Sequence, residues 1–344
     1  MKNLFFKITL ITISTISIFS CSKSDDNSNS NSGGNAIATS WIGSTSGDIN
    51  ATGTAAKLNE PEGIVIAPSG IVYVVDTGNN KIKKITPEGV VTTLAGTGDD
   101  GDVVGAGNVA QFSSPNGITM DVDGNLYITD VGNYKIKKIT PAGVVSNFAG
   151  GSFSDFGIPF GITIDAAKNL YVCDASAKKI KKVTPAGVIS TFAGTGASGE
   201  TNGPGNTATF QSPNEIVIDG SGNLFVADGN KIRKITSTGV VSTFKTGISE
   251  NANQDGDTEF FLPGAMAINS AGDIYFESGV GSKVKKITPS GEVSTIIGSS
   301  NNGDQDGKGS DARFFYPQGI AISASGVIYL SDTNNNKIKK ITEN

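Results

Sequence analysis

The chain has 344 residues, with Lys+Arg 27 against Asp+Glu 32 for a net charge of −5, no histidine and two cysteines. The missing histidine excludes Ser–His and Cys–His nucleophile pairs and His-ligated zinc centres, and two cysteines cannot build a paired CxxC site. A mildly acidic chain lacks the basic face of a general nucleic-acid binder, so no nucleic-acid partner is expected. Glycine at 45 and only 17 % charged residues favour many short strands and turns over long charged helices.

Residues 1–20 form the first segment. Lys2 and Lys7 precede an apolar and hydroxyl stretch from Ile8 to Ser20, of secretory-signal length and too short to span a bilayer. It ends Ile18-Phe19-Ser20-Cys21, which resembles a bacterial lipobox; that resemblance implies a lipid on Cys21 and anchorage in a membrane. Residues 21–36 are then a lipidated cysteine and a Ser/Asn/Gly tether, too polar to bury a core. Its SKSDD start resembles the acidic export signals of Bacteroidetes surface lipoproteins, which implies a cell-envelope, outer-membrane or surface location.

Residues 37–344 are one repeating domain. Six segments align on Pro61, Pro115, Pro159, Pro213, Pro263 and Pro317. Each holds four short apolar runs divided by Gly/Asn/Asp and TPxG turns, the pattern of antiparallel hairpins. Four strands in six copies predict an all-β, six-bladed β-propeller. An aromatic recurs twelve residues after each proline, at Tyr73, Tyr127, Tyr171, Phe225, Tyr275 and Tyr329, and must fill one equivalent slot between blades. The last copy stops at KIKKITEN without a fourth strand. Ile37 to Gly43 (IATSWIG) matches the GVVSTFAG runs elsewhere, so the N-terminal strand is expected to complete the last blade and hide two sheet edges.

The pattern PxGIxxDxxGNLYVxDxxNxKIKKI resembles the NHL repeat, and its AGTG linkers resemble those of NHL propellers in secreted bacterial proteins. The resemblance covers residues 37–344. It implies fold more than function, since such propellers serve as protein-binding, RNA-binding and catalytic domains alike.

Several motifs have ordinary structural explanations. Gly105-Ala106-Gly107 matches a dinucleotide fingerprint on paper, but it recurs in linkers leading to strands and reads as loop structure. Phe112, Phe210, Phe314 and Leu58 at the linker ends should pin the loops down. Asp76, Asp130, Asp174, Asp228 and Asp332 end second strands and should hold turns through backbone N–H groups. Cys173 reads as a buried thiol. The KIKK runs carry most of the basic charge. They read either as a solvated outer strand or as a belt able to hold anionic glycans or phosphates.

The linkers lie on one face, around the mouth of the central channel. They carry Asp99, Asp100, Asp102, Asp255, Asp257, Asp304, Asp306 and Asp311, oxygen-rich loops of the kind that suit Ca²⁺. Five linkers are long and the one from Gly150 to Pro159 is short, so the wall they form should have one gap. Residues just after the prolines should enter the innermost strands at the mouth: Glu62, Asn116, Phe160, Asn214, Glu215 and Gln318. Of these, Glu62, Asn116, Asn214, Glu215 and Gln318 are the candidate ligand or metal site. PEG and PNG resemble the metal-holding Glu and Asn positions of gluconolactonase-like and paraoxonase-like propellers, without their aspartate. The expected function is a membrane-anchored protein- or glycan-binding scaffold, with no certain cofactor and no catalytic residue assigned. The alternative is a Ca²⁺-dependent lactonase-like hydrolase at the channel mouth.

Overall fold

The computed structural model describes residues 34–247, 263–279 and 282–343. The signal segment, Cys21, most of the tether, Asp255 and Asp257 lie outside the described residues. Six antiparallel sheets form six blades, numbered here in chain order. Blade 1 comprises Pro61–Ile66, Val72–Asp76, Lys81–Ile85 and Val91–Ala95. Blades 2 to 5 repeat this order from Pro115, Pro159, Pro213 and Pro263. Blade 6 has Gly319–Ile322, Ile328–Asp332 and Lys337–Thr342, and its outermost strand is Ile37–Ile42, paired antiparallel from Ile37↔Thr342 to Ile42↔Ile338. The innermost strands contact one another around the ring, blade 6 meeting blade 1.

The core is divided in the same way. Six apolar clusters occupy the six inter-blade interfaces, and each recurrent aromatic stands in the cluster shared with the following blade. All six are buried. Second strands are buried at every residue, as sandwiching between two neighbours demands. The ring edges of Tyr127, Tyr171 and Phe225 meet Phe148, Phe192 and Phe244 at about 5 Å, the favoured edge-to-face arrangement. In blade 6 this partner is Trp41 from the N-terminal strand, 5.0 Å from Tyr329, with Lys340 Nζ 4.0 Å above the indole.

The aspartates that end second strands latch incoming linkers as well as turns. Asp76 Oδ1 accepts the Asn59 N–H at 2.7 Å and Oδ2 accepts from Asn79 Nδ2 at 2.8 Å. Asp130 and Asp332 repeat both bonds, with Ser113 and Asn133 and with Phe315 and Asn335. Leu58, Phe112, Phe210 and Phe314 are fully buried at the linker ends, and Phe156 takes that place in the short linker.

Two expectations change here. Gly105–Ala106 and Gly203–Pro204 are short edge strands, paired with Val144–Val145 and Val240–Val241, and Gly307–Lys308 pairs with Ile37–Ala38. The linkers therefore cover blade edges as well as crossing the face. The third strands are not simply solvated either. Lys83, Lys137, Arg233, Lys285 and Lys339 are 0 % exposed, and Lys83, Lys137, Arg233 and Lys339 meet groups of the linkers.

Candidate functional site

The first residues of the inner strands meet the ring axis at the linker face. Asn116, Glu215 and Gln318 line a cavity of about 220 Å³ whose walls are Ile64, Ile118, Ile162, Ile216, Met266 and Ile320. Glu62 stands beside it, its Oε2 accepting a hydrogen bond from Asn116 Nδ2 of the next blade. Glu215 enters from blade 4, across the ring from blade 1, and its Oε1 accepts the Ile216 N–H at 3.0 Å. Asn214 is exposed and does not line the cavity. Gln318 is exposed at the rim, where its backbone N–H donates to Thr333 Oγ1 at 3.1 Å.

Burial dominates the electrostatics of the mouth. Burial raises the Glu62 carboxyl to about 7; repulsion from Glu60 adds to this, and the Asn116 amide opposes it. Glu215 is also raised to about 7 by burial, against the single bond from Ile216. Both carboxyls are thus raised into the neutral range, on residues that are half-buried. The free, buried Cys173 thiol is pushed well up by burial, with Glu215 a further contributor, and has no reactive thiolate.

Sequence reasoning missed Glu277 at this end of the ring. It occupies the second-strand position of Val75, Thr129 and Cys173, is 6 % exposed, and lies against Gly264, the residue after the blade 5 proline. A side chain at 264 would collide with its carboxylate, since an added Cβ would stand 2.5 Å from Oε2. The signal was a lone glutamate at a position that other copies fill with small or apolar groups. Thr129 also escaped notice: its hydroxyl donates to Phe160 O at 2.9 Å and ties blade 2 to the inner strand of blade 3.

Several of the linker acids are paired with lysines. Asp102 pairs with Lys135 and Lys137, and Asp304 with Lys337 and Lys339, which also meets Asp306 at 2.8 Å. These lysines hold the Asp102, Asp304 and Asp306 carboxyls below their ordinary range, through ion pairing that outweighs partial burial. Among the described residues, no group of three or more Asp, Glu, Cys or His is placed to hold a metal ion.

The NHL repeat model matches residues 58–85, 112–139 and 314–341, the linker end and first three strands of blades 1, 2 and 6. The chain carries NHL repeats. Among curated proteins, Protein SUPPRESSOR OF QUENCHING 1 of Arabidopsis thaliana is 38 % identical over 94 residues, 27 % of this chain and 9 % of that protein. The chain spans about a tenth of the length of the curated relatives it matches. Solved structures share its fold. A protein of unknown function from Bacteroides thetaiotaomicron superposes with a TM-score of 0.71 at 18 % identity, over 89 % of this chain and 76 % of that one. An auxiliary nutrient binding protein from the same organism gives a TM-score of 0.67 at 16 % identity, over 90 % and 77 %. At such identities the NHL propeller shares with these neighbours its fold, and its site must be argued from its own residues.

Proposed function

We propose that this NHL propeller is a lipid-anchored, extracytoplasmic binding module that holds an oligosaccharide on its linker face, over the channel mouth. The observation that carries the reading is the arrangement around the axial cavity. Asn116 and Gln318 offer planar amides and Glu215 and Glu62 offer carboxyls, above apolar walls. A concave apolar site with a few convergent polar groups is the usual form of a small-ligand pocket. Exposed Phe315 and Tyr316, just before the blade 6 proline, and half-buried Phe160 on blade 3 add flat apolar faces for sugar rings. The described nutrient-binding role of a structural neighbour supports the same reading. Anchorage rests on the lipobox-like IFSC sequence, and Cys21→Ala is expected to abolish fatty-acid labelling of the chain.

Calorimetry of the full chain against a panel of neutral oligosaccharides tests the site. We expect saturable binding to at least one, weakened at least tenfold in Asn116→Ala/Gln318→Ala, with cooperative unfolding retained. Failure of the whole panel would discard the glycan in favour of a protein ligand. Full binding by the double variant would remove the site. The alternative, a Ca²⁺-dependent lactonase-like hydrolase, draws on Glu62, whose raised carboxyl suits a general base near neutral pH. Hydrolysis of a simple lactone that requires Ca²⁺ and is lost in Glu62→Gln is the result that would favour it.

A further inference from the structure

Every third strand begins with cations at its first and third positions, and in four blades the preceding linker places a carboxylate on at least one of them. In blade 1, Asp48 meets both Lys81 and Lys83, the latter at 2.5 Å. In blade 2, Asp102 meets Lys135 and Lys137, while Asp130 stands 2.9 Å from Lys137. In blade 4, Glu200 meets Lys231, and Arg233 takes Asp228 at 2.9 Å together with Asn202 Oδ1 at 2.8 Å. In blade 6, Asp304 meets Lys337 and Lys339. The linker before blade 5 lies outside the described residues.

Blade 3 departs from this scheme. Its linker keeps the apolar plug, Phe156, and the latch, in which the Gly157 and Ile158 N–H groups donate to Asp174. It is too short to carry the acidic arm. Its one acid, Asp155, accepts from Ser152 Oγ at 2.8 Å within the linker itself. Among the described residues, Lys179 and Lys181 have no carboxylate within ion-pair distance. Lys181 is partly open to solvent, whereas its equivalents Lys83, Lys137, Arg233 and Lys339 are fully buried. The residue just before this strand is a third cation. Lys178 adopts the left-handed turn position (φ 54°) that Asn80 and Asn336 hold in blades 1 and 6. There the asparagine Oδ1 accepts a backbone N–H of a neighbouring linker, from Ser114 or Glu60, a bond a lysine cannot make. The short linker also presents Phe153, 63 % exposed, edge-on to Tyr134 at 5.6 Å.

On blades 1, 2 and 6 this place shows what it is built to hold: one carboxylate bridging two cationic side chains. On blade 3 the cations remain and the carboxylate is missing. We propose that Lys178, Lys179 and Lys181 form an open anion-binding notch, which takes a carboxylate, sulfate or phosphate group of a ligand in the place the linker acid fills elsewhere. Lysines grouped at one site gain from any anion that relieves their mutual repulsion, and partial burial protects the pair from salt screening. The notch opens on the same face as the channel mouth, and it stands whether or not the mouth binds sugar.

The test is a calorimetric titration of the full chain with two probes, inorganic phosphate and trigalacturonate. We expect saturable binding of at least one, weakened at least tenfold in Lys181→Gln and unchanged in Lys182→Gln, whose side chain stacks over Tyr171 on the other side of the strand. Phosphate alone would mark a compact anion as the ligand, and trigalacturonate alone a sugar-borne carboxylate. Because Lys181 lacks an acidic partner, Lys181→Gln should also keep the wild-type Tm, so a loss of binding is not a loss of fold. Failure of both probes, or wild-type affinity in Lys179→Gln/Lys181→Gln, would overturn the proposal.

Discussion

The inter-blade interfaces and the channel mouth lie a few residues apart on the same six inner and second strands, yet they treat the repeat in opposite ways. At the interfaces, the position twelve residues after each proline is aromatic in every copy. At the mouth, the position directly after the proline is Glu62, Asn116, Phe160, Asn214, Gly264 and Gln318, a different side chain in nearly every copy. The backbone environment is equivalent around the ring, so packing asks the same of each blade. Where copies agree, the ring demands it. Where they diverge on an identical frame, the fold has left the choice free for a ligand to use. The third strands make the same point on a finer scale: among the five blades whose linkers are described, blade 3 lacks an acid that reaches its cations.

The sharpest way to break this contrast is to open the ring. Deleting Ile37–Ile42 removes the outer strand of blade 6, bares the edge of Lys337–Thr342 and withdraws Trp41 from Tyr329. We expect aggregation or loss of cooperative unfolding by size-exclusion chromatography and calorimetry, while deletion of residues 22–33 leaves Tm unchanged. Next comes a direct comparison of the two regions. Tyr127→Ala empties an interface slot and should cost about 3–5 kcal/mol in denaturant unfolding. Gln318→Ala, exposed at the mouth, should cost less than about 1 kcal/mol. Equal costs would mean that the mouth, too, is held for stability.

A pH-dependent effect concerns protons. Glu215 is raised to about 7 in the folded chain from an ordinary value of 4.5, so the folded state holds this proton more tightly than the unfolded one. Its contribution is full below about pH 4.5 and is lost as pH rises through about 7. Glu215→Gln should therefore raise stability at pH 8 by roughly 1–3 kcal/mol, a range lowered to allow for the solvent its outer atoms keep. The variant should match the wild type at pH 4. A gain at pH 4 as large as that at pH 8 would show that the effect is packing rather than charge.

The number of blades, the N-terminal strand in the last blade and the aromatic slots were all legible in the residue pattern, because they follow from six aligned copies, the strand the last copy lacks and one aromatic position in each copy. The positions at the channel mouth were legible for the same reason: they follow the proline that starts each inner strand. Tertiary structure alone decided which of them meet. Glu62 finds Asn116 on the neighbouring blade, 54 residues away, whereas Asn214 stays in solvent beside its neighbour Glu215. It also decided the fate of the lysines. Alternation places Lys83 and Lys137 on one side of their strands, but it does not say that a linker from the preceding blade will lie across that side with an acid in reach. Contacts within a blade repeat with the sequence and can be read from it. Contacts between a blade and the loop that crosses it depend on linker length and path, and these exist only once the ring has closed.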